Sequence, residues 1–211
     1  TERIVRKFSE CNPLLVHSQA DEIDVNGKRT GQLQPDERLF RNSSIAEAAL
    51  SPSLYLGASA AWAKELFTIF GPLEHDKAYE DLTLGFRAIM QRRFESIHEP
   101  LLQYRVGGGL TTSAREHQTF SSLWKQRKKY VVVMYNVLRQ RQKDYGRASV
   151  REGAVEKALA TKTKDLRIKA GFYETPKSIP RLISEEHFSA IKNLFYEIAY
   201  LTKCVMMDNK K

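Results

Sequence analysis

The segment YEDLTLGFRAIM, residues 79–90, sets Glu80 and Asp81 side by side ahead of an apolar run, with Arg87 farther along it. Two acids at the start of a helix can serve the backbone, because the helix macrodipole favours negative charge at its N-terminus. A carboxylate there can also act as a general base, taking the proton from a weakly acidic hydroxyl as that oxygen attacks. Glycoside hydrolysis by this pair is excluded, since a glycosidase needs two carboxyls facing each other across a sugar and adjacent side chains cannot straddle the bond. The other reactive side chains form no constellation. His17, His75, His98, His117 and His187 lack paired ligand spacing, and no nucleophile elbow supports a Ser/His/Asp reading. Cys11 and Cys204 have neither CxxC nor Cys/His spacing, which argues against a disulfide framework or a zinc site and fits a reducing cytoplasm.

The elements that must position the pair can be read from periodicity and punctuation. TERIVRKFSEC puts Ile4, Val5 and Phe8 on one helical face and reads as a helix entered from an upstream element. LLVHSQADEIDVNGKRTG reads as a strand followed by an Asn26-Gly27 turn, with Asp21 and Asp24 as loop acids. SLYLGASAAWAKELFTIFGPL begins as a strand, passes at Gly57 into a helix, and stops at Gly71-Pro72. After the helix carrying Glu80 and Asp81, ESIHEPLLQYRV is expected as a strand interrupted by Pro100 and ended by Gly107, Gly108 and Gly109. Beyond them the pattern is helical. Phe120, Trp124, Val131, Met134 and Leu138 mark one stripe. Ser149 with Glu152 forms a capping box ahead of a second helix, and Ser184 with Glu185 and Glu186 opens a third whose Phe188, Ile191, Phe195 and Ile198 point inward.

Charge divides the chain in the same place. Residues 1–110 carry 13 Lys and Arg against 15 Asp and Glu, whereas residues 111–211 carry 21 against 10, so the +9 net charge belongs to the second half. That field favours acidic partners such as lipid headgroups, phosphorylated ligands or nucleic acid. The unbroken apolar run Tyr130 to Tyr135 is far below the roughly 20 residues of a spanning helix, so no membrane crossing is expected.

Taken together, YLGASAAWAKELFTIFGPL, YEDLTLGFRAIM and IHEPLLQYRVGGG resemble the acceptor-side half of family 2 glycosyltransferases of the GT-A fold. The shared features, in order, are a strand leading through glycine into a helix ending Phe-Gly-Pro-Leu, a Glu-Asp pair opening the next helix, an Arg on it, and a strand carrying Glu-Pro-Leu and Tyr-Arg. With the upstream LLVHSQADEIDVNGK the resemblance covers roughly residues 1–113. It implies an α/β fold, with residues 1–113 forming part of a GT-A-like (Rossmann-like) sheet with helices and residues 114–211 a basic, mainly helical region.

The resemblance further implies an inverting transferase that moves a sugar from a nucleotide-sugar donor to a glycan or lipid-linked acceptor, in cell-surface polysaccharide synthesis. Asp81 matches the family's catalytic base, and Glu80 a residue that orients the acceptor or Asp81 itself. Gly57, Ala58 and Ser59 match a loop lining the acceptor site. Trp62 could offer a flat face to a sugar, with core packing on its helix as the alternative, and Arg105 falls where the family often places a cation near the leaving diphosphate. The family's Asp-x-Asp motif and nucleotide-binding region do not occur here, so a divalent cation, Mn or Mg, is expected in the intact enzyme but not on this chain alone. The chain then reads as a C-terminal fragment, inactive by itself, and strands near Leu14–Val16 and Tyr55–Gly57 should leave edges for missing neighbours. The basic helices are expected to hold the enzyme peripherally at the inner face of a membrane, with packing on the catalytic half or in a homodimer as the alternative. Two rival classes stand beside this reading. One is a non-catalytic interaction domain with a degenerate glycosyltransferase fold. The other is a nucleic-acid module centred on Lys125, Arg127, Lys128, Lys129 and Tyr130, which the absence of any recognised nucleic-acid motif disfavours.

Overall fold

A computed structural model describes residues 2–35, 37–41, 44–106, 119–149, 151–175 and 179–208. The chain is mixed α/β, with four strands and eight α-helices among the described residues. Strand β1 (Leu15–Ile23) is the axis of the sheet. On one side its first residues, Leu15–His17, pair antiparallel with β3 (Ala60–Trp62), and its second half pairs antiparallel with β2 (Arg29–Leu33). On the other side β4 (Phe94–Arg105) runs parallel to its whole length. The expected free edge at Leu14–Val16 is therefore not found. Both edges of β1 are paired, and Leu14, Leu15 and Val16 are wholly buried. Tyr55 and Leu56 are not a strand either; the chain makes a 3₁₀ turn at Gly57–Ser59 before β3.

Local chemistry explains the turns. Between β1 and β2 the Asp24 carboxylate accepts from the backbone N–H groups of Asn26 and Lys28, both at 2.9 Å, and Gly27 takes a left-handed φ of 84°. That is the turn expected at Asn26-Gly27, with Asp24 as its loop acid. Asp21, in contrast, lies within β1 and pairs with Arg29 at 2.7 Å across the hairpin. Pro100 has no N–H to give the ladder, and the β1–β4 register slips there, from Ser18 opposite Ile97 to Gln19 opposite Pro100. β4 ends at Arg105; Gly107–Gly109 lie outside the described residues.

Helix α1 (Glu2–Cys11) rides outside with no buried residue, tied to β4 by Lys7 and Glu95 at 3.4 Å. Two short helices follow β2, α2 (Glu37–Arg41) and α3 (Ile45–Leu50); the second is capped by the Ser44 hydroxyl, which accepts from the Glu47 N–H. After β3 comes α4 (Glu65–Phe70), shorter than the helix expected from Gly57 onward, and stopped at Gly71 with φ 75°. Helix α5 (Glu80–Gln91) is buried from Leu82 through Ile89. Then come α6 (Phe120–Tyr145), capped by the Thr119 hydroxyl, α7 (Gly153–Glu174) and α8 (Ile179–Asp208).

The three C-terminal helices occupy their expected places, but two of their caps do not. The first residue of α7 follows Glu152 with no side-chain cap, so Ser149 and Glu152 form no capping box. Helix α8 runs through Ser184 from a start at Ile179. Its stripe is also turned. Ala190, Asn193, Leu194, Glu197 and Leu201 face inward, while Ile191, Phe195 and Ile198 are exposed, Phe195 at 73%. The side chain of Phe188 lies outside the described residues. On α6, Val131, Met134 and Leu138 are buried as expected, Trp124 is half-buried, and Phe120 is exposed. One core unites residues 1–113 with 114–211, drawing on Leu15, Phe70 and Phe86 from the first stretch and on Val131, Leu159 and Leu201 from the second. No helix among the described residues is long and apolar enough to cross a membrane.

Candidate active site

Helix α5 delivers the carboxylate pair from its first turn. Tyr79 precedes it in extended conformation (φ −70°, ψ 128°) and supplies no side-chain cap, so the turn's free N–H groups are left to the acids. Asp81 Oδ1 accepts from the Leu82 N–H at 2.7 Å. The helix continues with Leu82 and Leu84 in the core, which pins the first turn firmly. Glu80 points to solvent, whereas Asp81 is half-buried.

The 3₁₀ turn comes directly against the pair. A Cβ placed on Gly57 would lie 3.3 Å from Asp81 Cβ, 3.5 Å from Glu80 Oε1 and 3.6 Å from Asp81 Oδ2. Gly57, Glu80 and Asp81, far apart in sequence, thus form one surface. Ser59 is buried and shapes the loop from within, its hydroxyl donating to the Leu56 carbonyl at 2.8 Å, while Ala58 is exposed. Trp62 stands on strand β3, 37% exposed, so the helical core role considered for it does not hold.

Burial pushes the Asp81 carboxyl above the usual aspartate range; the Leu82 N–H pulls it down, and the Glu80 charge adds to the rise. The Arg141 guanidinium opposes that rise. Arg141, from α6, is fully buried, and donates to the Leu82 carbonyl at 2.7 and 3.0 Å and to the Ala49 and Ser51 carbonyls at 2.9 and 2.8 Å. Its contacts are backbone carbonyls rather than a carboxylate. Burial pulls its pKa down to about 9, and the charge of Asp81 acts to restore it. Asp81 thus offsets part of the burial of this cation through its charge alone, since the hydrogen bonds of Arg141 go to carbonyls.

Tyr55 completes the surroundings. It is 5% exposed, and its hydroxyl has no hydrogen-bond partner among the described residues. Burial raises its pKa, and the charges of Asp81 and Glu80 raise it further, so the phenol stays protonated as a donor beside two carboxylates. Its ring packs with His17 and Phe40 at centroid separations of 5.9 and 6.4 Å. Gly85 makes room for it: a Cβ there would meet Tyr55 Cε1 at 2.7 Å.

Beside Glu80 opens a cleft of about 520 Å³, lined by Tyr79, by Lys125, Lys128, Lys129, Val132 and Val133 of α6, and by the charged Asp76, Lys77 and Glu174. Arg127 of the same run turns away, donating two bonds of 2.8 Å to Glu197. Residues 125–130 therefore do not present a single basic face. Arg105, at the far end of β4, donates to the Asp24 and Val25 carbonyls at 2.9 and 2.7 Å and clips the β1–β2 turn. Arg87 lies fully buried with Asp144 of α6, bonded at 2.7 and 2.9 Å, and also donates to the Gly71 carbonyl at 2.9 Å. Among the described residues no three His, Cys, Asp or Glu side chains converge as metal ligands. These residues do not fit a divalent cation, and the chemistry they offer is proton transfer and hydrogen bonding.

The sequence points to Glu80, Asp81 and Gly57 but not to Arg141 or Tyr55. Arg141 sits in RQRQK, indistinguishable there from its exposed neighbours, and Tyr55 reads as an ordinary strand aromatic. No family model, curated protein or solved structure matches this chain.

Proposed function

We propose that this chain is the acceptor-side part of an inverting glycosyltransferase of GT-A type, with Asp81 as its general base. The observation that carries the reading is the meeting of Gly57 with Glu80 and Asp81 beside the buried Tyr55 hydroxyl. A side chain on Gly57 would fill the space in front of the pair, so the glycine keeps open a place where an acceptor hydroxyl can reach the carboxylate. Asp81 takes the proton of that hydroxyl as the oxygen attacks the anomeric carbon from the side opposite the leaving nucleoside diphosphate. Partial burial makes it a stronger base than an exposed aspartate, while the charge of Arg141 works against the rise. The buried Tyr55 hydroxyl lies in the field of both carboxylates, and the cleft beside Glu80 has the size for a saccharide. The resemblance assigns the donor diphosphate and its Mn or Mg ion to residues other than these. Arg105, engaged with the β1–β2 turn, has a structural task and is not part of the proposed donor site. Cell-surface polysaccharide synthesis on the cytoplasmic side of a membrane is the setting this activity fits.

The reading is tested with the full-length gene product incubated with a panel of uridine, thymidine and guanosine diphosphate sugars, Mn or Mg, and saccharide acceptors. Release of nucleoside diphosphate together with a product of inverted anomeric configuration, seen by proton NMR, is expected for one donor. Transfer with retained configuration would contradict it.

A further inference from the structure

Helices α6, α7 and α8 enclose a groove of about 720 Å³, distinct from the cleft at Glu80. Met134, Leu138 and Leu166 form its floor, and Arg127, Lys162, Lys169 and Lys192 its cationic wall; among the described residues no carboxylate lines it. Two of the cations are matched from below. Burial works against the charge of Glu197, but bonds from Arg127, Tyr173 and Lys169 outweigh it and hold this carboxyl below the usual glutamate range. Lys162 and Lys192 are exposed and make no ion pair among the described residues. The groove continues onto the solvent face of α8, where Ile191, Phe195 and Ile198, spaced by four and three residues, stand exposed.

We propose that this groove and the α8 face beside it seat the protein on an anionic phospholipid surface, with headgroup phosphates at Lys162 and Lys192 and Ile191, Phe195 and Ile198 entering the acyl boundary. An amphipathic helix with lysines flanking an apolar strip binds membranes in this way. Charge selects among occupants. A second copy would bring the same basic groove and a net charge of +9 toward this one, which like-charge repulsion opposes. A nucleic acid would match the sign and would find rings at Tyr130, Phe195 and Tyr196, but the strip runs on through the aliphatic Ile191 and Ile198, which suit an acyl boundary and offer bases nothing to stack on. The proposal is independent of glycosyl transfer, because its readout needs neither donor nor acceptor.

The test is flotation of the chain with vesicles of phosphatidylcholine alone and with 30% phosphatidylserine or phosphatidylglycerol, at low salt and at 0.5 M salt. Binding to the anionic vesicles is expected, with loss at high salt and little affinity for the neutral ones. The double variant Lys162→Gln/Lys192→Gln should bind roughly 30-fold more weakly, on the scale of about fivefold per lysine near a charged surface. Phe195→Ser/Ile198→Ser should weaken binding independently of salt. All four side chains are exposed, so unchanged circular dichroism and thermal unfolding are expected and separate the effect from misfolding. Equal binding to neutral and anionic vesicles, or none at low salt, would overturn the proposal. So would tighter binding to a single-stranded RNA than to vesicles, or a dimer in light scattering that Phe195→Ser disperses.

Discussion

Asp81 owes its position to three neighbours of different kinds: the Leu82 N–H that holds one oxygen at 2.7 Å, the Gly57 turn that leaves the other side open, and the Arg141 guanidinium beneath. Burial raises its pKa above 3.8, and this has two consequences of opposite use. As a base it must be ionised, so the acidic limb of the kcat/KM profile should lie above the pKa of an ordinary aspartate, and Asp81→Glu should shift that limb rather than abolish it. For stability the sign reverses. A carboxyl whose folded pKa is raised favours the folded state below pH 3.8, and that contribution is lost as pH rises through the folded value. Asp81→Asn should therefore be at least as stable as the wild type at pH 7 in thermal unfolding, and a large loss of stability would mark Asp81 as a structural cap instead. The carboxylate pair and Gly57 were legible in the sequence because residue type and order carry them. Tyr55 and Arg141 were not, since their roles arise from what packs over them.

At the scale of elements, hidden ions account for the largest departures from periodicity. The inward stripe of α8 runs Ala190, Leu194, Glu197, Leu201, and a glutamate in that series makes the neighbouring Ile191, Phe195, Ile198 series look like the core face. Glu197 is inside only because Arg127, Lys169 and Tyr173 meet it from two other helices, a match that no single segment reveals. Arg87 is a second case. It appears as a lone cation on an apolar helix, yet it joins α5 to α6 through Asp144 and holds the Gly71 carbonyl that ends α4. Gln140 adds a bond to Asp144 at 2.9 Å and accepts the Glu74 N–H at 2.8 Å, so the loop between α4 and α5 hangs on the same cluster. Asp144→Asn should leave a buried guanidinium unpaired and cost about 3–5 kcal/mol in chemical denaturation. The paired exchange Arg87→Met/Asp144→Leu should recover much of that loss. Strands were easier to read, because the Asn26-Gly27 turn and Pro100 leave local marks that packing does not override.

In the molecule as a whole, the acidic and basic stretches do not behave as separate bodies. The core passes from β1 and α5 directly into α6 and α7, and Arg141 of the basic half lies under the first turn of α5. The helical region thus adds a charge to the surroundings of Asp81, as well as carrying the proposed membrane-facing groove. Charge segregation could be seen in the sequence, but that it reaches the carboxylate site could not. Nor could the central place of β1, because pairing partners of a strand are set by long-range contacts rather than by its own residues. In the proposed activity Asp81 accepts a proton from the attacking hydroxyl. The most direct test of this step is the turnover of Asp81→Asn in the full-length enzyme, measured with donor and acceptor saturating, alongside the melting temperature and donor affinity of the same variant. Unchanged folding and donor binding are expected, with turnover lowered by about 10²-fold or more, the scale for removing a general base. Near-normal turnover in a folded, donor-binding variant would contradict it.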